Sequence, residues 1–194
     1  EVFPSAKVLR MDTDSVSKKN SANDMIRDFA RGDADILIGT QMIVKGHDFD
    51  NVTLVGIMAA DTSLYVSNYN SAQRTFELLT QAAGRAGRAK SGEAVIQTYK
   101  PENYAIVAAA AQDYKKYFEN EIAYRKLGGY PPVCHMLTVM ISSIREEELN
   151  KCATAIVNTL KSDNIFKKSV IIGPTDPSVV KVKDYYRKLV YIKN

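Results

Sequence analysis

Residues 33–49 of the chain read Asp33-Ala-Asp-Ile-Leu-Ile-Gly39-Thr-Gln-Met-Ile-Val-Lys45-Gly-His-Asp-Phe49. Residues 35–39 form an uninterrupted apolar run of strand length, as expected for a parallel strand buried on both faces. Ligands bind beyond the carboxyl ends of such strands. Thr40 and Gln41 would place free backbone N–H groups at a helix start, which suits a phosphate. The loop that follows carries Lys45, His47 and Asp48. The alternative is a connection whose polar residues only face water.

Strands and helices alternate around this run. Further strands are predicted at residues 7–10, 51–58 and 93–99. A first helix is predicted to begin at a capping box (residues 21–24) and to stop at Gly32. A second helix is predicted at residues 71–83, and one long alanine-rich helix is predicted at residues 105–125. This alternation predicts an α/β fold with a parallel sheet and helices on both faces.

A cluster of helix breakers, Gly128-Gly-Tyr-Pro-Pro132, divides the chain into predicted domains at residues 1–127 and 128–194. The second domain should contain a strand (134–142), a helix (145–160) and two strands (169–172 and 187–192). That order predicts a small split α+β sandwich.

The charge distribution separates the same two regions. The 194 residues carry 26 Lys+Arg and 22 Asp+Glu, but residues 126–194 alone carry 11 basic and 6 acidic side chains. The basic surplus therefore lies in the last third, which is the better candidate for contact with a polyanion, although a solvated lysine-rich surface would look the same. The two cysteines, eighteen residues apart, encode neither a disulfide framework nor a zinc site, and fit a reducing cytosolic setting. No apolar stretch approaches the length needed to span a bilayer.

A second functional segment is Gln81-Ala-Ala-Gly84-Arg85-Ala-Gly87-Arg88. Two glycines three residues apart, each followed by Arg, weaken a helix but let a partner approach closely. The guanidinium group is a planar fork that suits phosphate oxygens. An ordinary basic helix end would explain the arginines but not the paired glycines.

The two segments resemble motif five (residues 39–49) and motif six (residues 81–88) of superfamily-two helicases. Residues 3–14, the helix leading to motif six, Tyr-Pro-Pro and the late Gly-Pro…Tyr-Arg extend the resemblance to the primosomal replication-restart helicases, essentially from end to end. These are ATP-dependent 3′→5′ DNA helicases with two RecA-like lobes. The resemblance implies that this chain is the second RecA-like lobe followed by a small basic domain, cut from a larger bacterial protein.

The resemblance also assigns roles to individual residues. Arg88, as the arginine finger, and Arg85 would face the nucleotide, with Gln81 positioning it or its attacking water. Asp48 would reach the ribose or couple nucleotide state to DNA. The residues that would contact DNA are Gly39, Thr40, Gln41, Lys45, His47 and, in the basic domain, Tyr186, Arg187 and Lys188.

The expected cofactors are ATP and Mg²⁺, held mainly by a first lobe, because the chain has no G-x-x-x-x-G-K-[ST] loop and no D-E-x-H run. Zinc would belong only to a module upstream of Glu1. The chain alone should therefore fold but lack ATPase activity. The expected partners are forked and single-stranded DNA, single-strand-binding protein and primosome loading proteins. The expected location is the cytoplasm, at the nucleoid, and no membrane is expected as a partner. The protein would bind abandoned forks and initiate primosome assembly.

The chain departs from the family pattern at residues 67–70 (Ser-Asn-Tyr-Asn), at Gln73 and at Val133, which puts a DNA or inter-lobe role of Asn70 and Gln73 in doubt. Two rival interpretations stay open. One is another superfamily-two translocase of repair or recombination. The other is a non-catalytic DNA- or protein-binding module on a RecA-like fold.

Overall fold

A computed structural model describes residues 3–11, 19–43, 49, 51–66, 68–86 and 92–194, with side chains omitted at residues 19–21 and 42. The chain forms two compact units, Glu1–Phe118 and Glu119–Asn194. The division falls inside a helix, whereas the glycine turn that suggested a boundary after residue 127 lies where that helix ends.

The first unit pairs its strands in parallel, as the sequence predicts. Strand β1 (Val8–Met11) pairs with β2 (Ile36–Gly39), and β3 (Leu54–Ile57) pairs with β4 (Glu93–Ile96). Helix α1 (Lys19–Arg31) connects β1 to β2, and α2 (Ser71–Ala83) connects β3 to β4. The parallel α/β fold class is therefore present, but the described strands form two separate two-stranded sheets, β1–β2 and β3–β4, rather than the single predicted sheet.

Two details of this unit differ from expectation. Helix α1 already includes Ser21, so the capping box does not mark its start, although Gly32 does follow its last residue with a left-handed φ of 84°. The strand of residues 35–39 is not buried on both faces, because Ile38 is 54% exposed. Helix α1 packs against β1, the strand that pairs with β2.

The core of the first unit lies around helix α2. Phe76 and Leu79 are almost completely buried, and the Phe76 ring stacks on Tyr117 with centroids 4.1 Å apart. The short helix α3 (Tyr104–Ala110) adds alanines that have no exposed surface. These contacts fix α2 at the centre of the unit.

The prediction of a single helix at residues 105–125 is wrong, because the segment forms two helices, α3 and then α4 (Tyr114–Gly128). Gln112 has a left-handed φ of 53°, and the Asp113 carboxylate accepts the Lys116 backbone N–H at 2.9 Å. Asp113 is thus the N-cap of a new helix.

The second unit is an antiparallel sheet with one helix on it. Its strands are β5 (Met136–Ser143), β6 (Val170–Thr175), the two-residue β7 (Lys181–Val182) and β8 (Tyr185–Lys193). Strand β8 lies between β5 and β6 and also pairs with β7. Helix α5 (Glu146–Ser162) packs on the sheet, burying Leu149, Ala153, Val157, Val190 and Ile192. The predicted strand–helix–strand–strand order is confirmed, and β7 is an addition.

Candidate functional site at the carboxyl ends of the parallel strands

The residues after β2 lie at the carboxyl end of that strand, where the sequence predicts a ligand. Thr40 and Gln41 are exposed, and the Thr40 carbonyl accepts the Ile43 N–H at 3.1 Å, which closes a 3₁₀ turn over Gln41–Ile43. Among the described residues, a 3₁₀ turn therefore stands where the helix start was expected. Three predicted members of the same loop, Lys45, His47 and Asp48, lie outside the described residues.

Close packing against β1 requires glycine at position 39, whether or not Gly39 also makes the phosphate contact that the sequence predicts. A methyl group on Gly39 would lie 2.6 Å from the Met11 carbonyl oxygen and 2.8 Å from the Ile43 side chain. Distances this short exclude any larger residue. The end of β1 can therefore approach β2 only because position 39 is glycine.

Helix α2 places the residues of the second motif. The Ser71 hydroxyl donates to the backbone carbonyls of Val66 and Asn68, and the Thr75 hydroxyl donates to the Ser71 carbonyl at 2.9 Å. These bonds fix the start of the helix over the buried Phe76. The helix spans the 13 residues that the sequence predicts.

The helix ends at Ala83, so Gly84 lies at its cap rather than in its interior. The Gly84 N–H donates to the Thr80 carbonyl at 3.0 Å, and a methyl group on Gly84 would lie 3.1 Å from that oxygen. Gln81 is exposed in the last turn, and Arg85 follows the cap and is half-buried. Arg88 lies outside the described residues, so of the predicted nucleotide-facing set the structure places Gln81 and Arg85.

The sequence interpretation missed a buried carboxylate at the carboxyl ends of β3 and β4. Asp61 is 4% exposed and lies in the 3₁₀ turn Ala60–Tyr65 that follows β3. Its Oδ1 accepts the Thr98 hydroxyl at 2.9 Å and the Tyr99 N–H at 3.1 Å, both just beyond β4. The Tyr99 N–H, with help from Thr98 and from the charge of Lys100, outweighs desolvation and lowers the pKa of Asp61. Asp61 therefore ties together the carboxyl ends of the paired strands β3 and β4.

A signal for Asp61 was present in the sequence. Asp61 is an acidic residue shortly after the strand predicted at residues 51–58, the position at which polar groups collect at the end of a parallel strand. Its partner Thr98 gave no such signal, because it lay inside the strand predicted at residues 93–99. Ala59, with a left-handed φ of 49°, supports the turn, since its N–H donates to Gln97 Oε1 at 2.6 Å.

The predicted DNA-contacting residues of the second unit have partners within their own unit. Arg187 donates from Nη2 to the Val179 carbonyl at 2.6 Å, and Lys188 pairs with Asp176 at 2.8 Å. The Tyr186 ring lies under the Lys181 ammonium, 4.5 Å from the nitrogen. Strands β7 and β8 form a hairpin, which exposes two cations to solvent, Lys181 and Lys183. The sequence interpretation did not single out either of them.

The positions that depart from the family pattern have local structural contacts. Gln73 donates from Nε2 to Glu77 Oε1 at 2.8 Å, and the Asn70 N–H reaches Asn68 Oδ1 at 3.4 Å. Val133 is 45% exposed and its N–H donates to the Tyr130 carbonyl at 3.0 Å. Ser67 lies outside the described residues.

Comparisons with known proteins cover the whole chain. Residues 5–90 match the family described as Helicase conserved C-terminal domain. The chain is 43% identical to replication restart protein PriA of Bacillus subtilis over 197 residues, covering all of this chain and 24% of that protein. The whole chain is similar to one part of the PriA proteins. PriA of Synechocystis is 35% identical over 98% of the chain and 23% of its own length, and PriA of Thermotoga maritima is 34% identical over 98% and 25%.

The chain thus spans about a quarter of the length of the curated PriA proteins that it matches. In the described part of the chain, no helix is long and apolar enough to cross a membrane. No cluster of three or more His, Cys, Asp or Glu side chains that could hold a metal ion occurs among those residues either.

Proposed function

We propose that the chain is part of an ATP-dependent 3′→5′ DNA helicase that binds stalled or abandoned replication forks and initiates primosome assembly. The end-to-end similarity to proteins named for replication restart supports this function. The observation that carries it furthest is the position of the motif-six residues. Helix α2 is anchored in the core by Phe76 and ends at Ala83, with Gly84 as its cap and Arg85 directly after the cap.

In this proposal, the chain supplies one wall of a nucleotide site. Arg88 contacts the γ-phosphate as the arginine finger, Arg85 faces the phosphates, and Gln81 positions the nucleotide or the attacking water. Asp48 reaches the ribose or couples nucleotide state to DNA. An arginine directed at the transferring phosphoryl group stabilises its developing charge and contributes about 10³–10⁵ to the rate in analogous enzymes. A first lobe would hold ATP and Mg²⁺ and supply the rest of the chemistry.

The proposed DNA contacts lie on both units. Gly39, Thr40 and Gln41 would hold a backbone phosphate, with Lys45 and His47 as further contacts. In the second unit, the β7–β8 hairpin would approach the strand through Tyr186, Arg187 and Lys188. The exposed Lys181 and Lys183 of the same hairpin would add to these contacts. The protein would act in the cytoplasm, at the nucleoid, with single-strand-binding protein and primosome loading proteins as partners.

The experiment is Arg88→Ala in a protein that joins this chain to its first lobe. DNA-stimulated ATP hydrolysis should fall by about three orders of magnitude or more, while binding to forked DNA stays within a few fold. Arg74→Ala is the matched control, because Arg74 is an exposed arginine on α2 ahead of the motif. Unchanged hydrolysis in Arg88→Ala would favour a non-catalytic binding module.

The isolated chain offers a second test. Because its sequence has no phosphate loop and no D-E-x-H run, we expect no DNA-stimulated hydrolysis from the 194 residues alone. Turnover by this chain, purified free of other ATPases, would contradict the assignment of the catalytic phosphate and Mg²⁺ ligands to a first lobe.

A further inference from the structure

Two exposed tyrosines lie beyond the carboxyl ends of β3 and β4. Tyr65 is 62% exposed and ends the 3₁₀ turn that follows β3. Tyr99 is 83% exposed and comes three residues after the end of β4. Met58, directly after β3, is 77% exposed as well. A single exposed hydrophobic residue is ordinary, whereas several large ones grouped at one end of a strand pair are typical of a binding surface.

One hydrogen-bonded frame holds the backbone that carries both tyrosines. Asp61 Oδ1 accepts the Tyr99 N–H at 3.1 Å, and Asp61 lies in the same 3₁₀ turn as Tyr65. The Thr98 hydroxyl donates to Asp61 at 2.9 Å and accepts the Lys100 N–H at 2.9 Å. A tyrosine on a fixed backbone has only two side-chain torsions to order when a ligand binds, which keeps the entropy cost low. The two rings are therefore prepared to bind a flat ligand.

A cation lies beside the rings. The Lys100 ammonium nitrogen is 5.3 Å from the centre of the Tyr65 ring, within the range of a cation–π contact, and the Lys100 side chain is exposed. Glu102 is also exposed, two residues further along the chain. The exposed charges of residues 97–102 therefore balance, because these two side chains have opposite signs. Net charge alone would attract a polyanion only weakly, so the rings must supply most of the affinity of this surface.

We propose that Tyr65, Tyr99 and Lys100 form a stacking site for single-stranded DNA. Bases of the strand lie on the two tyrosine rings, and the Lys100 ammonium contacts a neighbouring phosphate. Such a site rests on the proposed function, which requires the protein to hold a DNA strand.

The chemistry of the site favours an unpaired strand over a duplex. Every base has a π face, so stacking on tyrosine accepts any sequence, and a cation next to the rings suits the phosphate that follows each base. In a duplex, neighbouring base pairs already cover those faces. The contacts proposed for residues 39–41 hold a backbone phosphate, whereas Tyr65 and Tyr99 would hold the bases.

The first test titrates the 194-residue chain into a fluorescent oligothymidine at several salt concentrations. Tyr99→Leu should weaken binding by about fivefold to a hundredfold, the range that stacking of one base contributes, and should leave the salt dependence unchanged. Tyr99→Phe is the matched control, because it keeps the ring, and should bind within about twofold of wild type. Lys100→Gln should instead reduce the slope of log K against log salt by about 0.7.

Two outcomes of this titration would overturn the stacking site. One is equal binding by wild type and Tyr99→Leu, which would leave the surface to a protein contact. The other is the absence of oligothymidine binding by the wild-type chain. Neither result decides the helicase assignment, which depends on ATP hydrolysis by Arg88→Ala in the protein that includes the first lobe.

Photo-cross-linking locates the bases directly. An oligothymidine that carries iodouracil forms adducts with the aromatic side chains that it contacts, and mass spectrometry identifies the modified residues. We expect adducts at Tyr99 or Tyr65 and none at Tyr124, which is similarly exposed, at 60%, but lies on α4. No adduct at either proposed tyrosine, or adducts that are as frequent at Tyr124, would contradict the site.

Discussion

At the scale of single residues, the most informative side chain is Asp61. Its carboxylate accepts two donors from beyond β4 while lying in the turn after β3. Thr98 is 37 positions away in the sequence, so no local pattern could identify the pair. Motif six, by contrast, is recognisable from the sequence because its glycines and arginines follow one another within eight residues. Sequence reading therefore located the helix with Gln81 and Arg85 but missed the group that ties the neighbouring strand ends.

Asp61→Asn should reduce stability in a pH-dependent way. The folded state lowers the pKa of Asp61, so its contribution to the free energy of unfolding is fully present above the ordinary value of 3.8. That contribution disappears as the pH falls through the lower, folded-state pKa. Urea unfolding at neutral pH should therefore separate wild type from Asp61→Asn, and the gap should narrow in acid. Glu102→Gln, at an exposed carboxylate, is the control. A gap that stays constant with pH would contradict this role.

The Glu121–Arg125 pair gives a second prediction for individual residues. The two side chains are 8% and 11% exposed, their N···O distance is 2.7 Å, and Arg125 also donates to the Pro131 carbonyl. Breaking a buried pair leaves a charge without its partner and costs about 3–5 kcal/mol. Glu121→Gln should therefore lower the free energy of unfolding far more than Glu148→Gln.

The control, Glu148, pairs with Arg145 at a similar 2.8 Å, but those side chains are 56% and 72% exposed. Exposed pairs contribute up to about 1 kcal/mol. Equal losses for the two variants in urea titrations would show that burial does not govern these pairs.

At the scale of elements, the helix boundaries show which signals are decisive. Helix α2 was predicted to its last residue, because its buried stripe stops where Gly84 follows. The stretch after residue 104 was predicted as one helix, because its alanines favour helix throughout and hide the break. Asp113 caps the second part, α4, but an aspartate inside a polar stretch also fits an exposed helical position. Propensity alone could not separate these cases.

The cap of α4 can be tested directly. Asp113→Ala removes the acceptor for the Lys116 N–H, and loss of such a cap costs about 1 kcal/mol. Hydrogen exchange should accelerate in the first turn of α4 and stay unchanged in α3, which has its own cap where Asn103 accepts the Ala105 N–H. Asn103→Ala should reverse this pattern. Faster exchange in both helices from either variant would instead indicate that the two helices unfold together.

At the scale of the whole molecule, the charge distribution separates the units more clearly than the total does. The formal charge of +4 comes from a near-neutral first part and a strongly basic last third. Contacts with a polyanion should therefore depend on salt mainly through the second unit, because each phosphate contact releases counterions. Since Lys188 is paired with Asp176, the exposed lysines beside it are the better candidates for such contacts.

Replacing Lys181 by Gln together with Lys183 by Asn should flatten the salt dependence of single-stranded DNA binding. Each lost phosphate contact reduces the slope of log K against log salt by about 0.7 for a single strand. Asn is chosen at position 183 because the left-handed φ of 53° there favours it. The control is Lys167→Gln with Lys168→Gln, which removes the same charge from an exposed site just before β6. This site lies away from the hairpin, because the first residue of β6, Val170, pairs with Lys193 at the opposite end of β8. If the hairpin contacts DNA, the Lys181/Lys183 variant must lose more of the salt-dependence slope than the Lys167/Lys168 variant does. An equal loss of slope in the two double variants would mean that only the net charge of the protein matters.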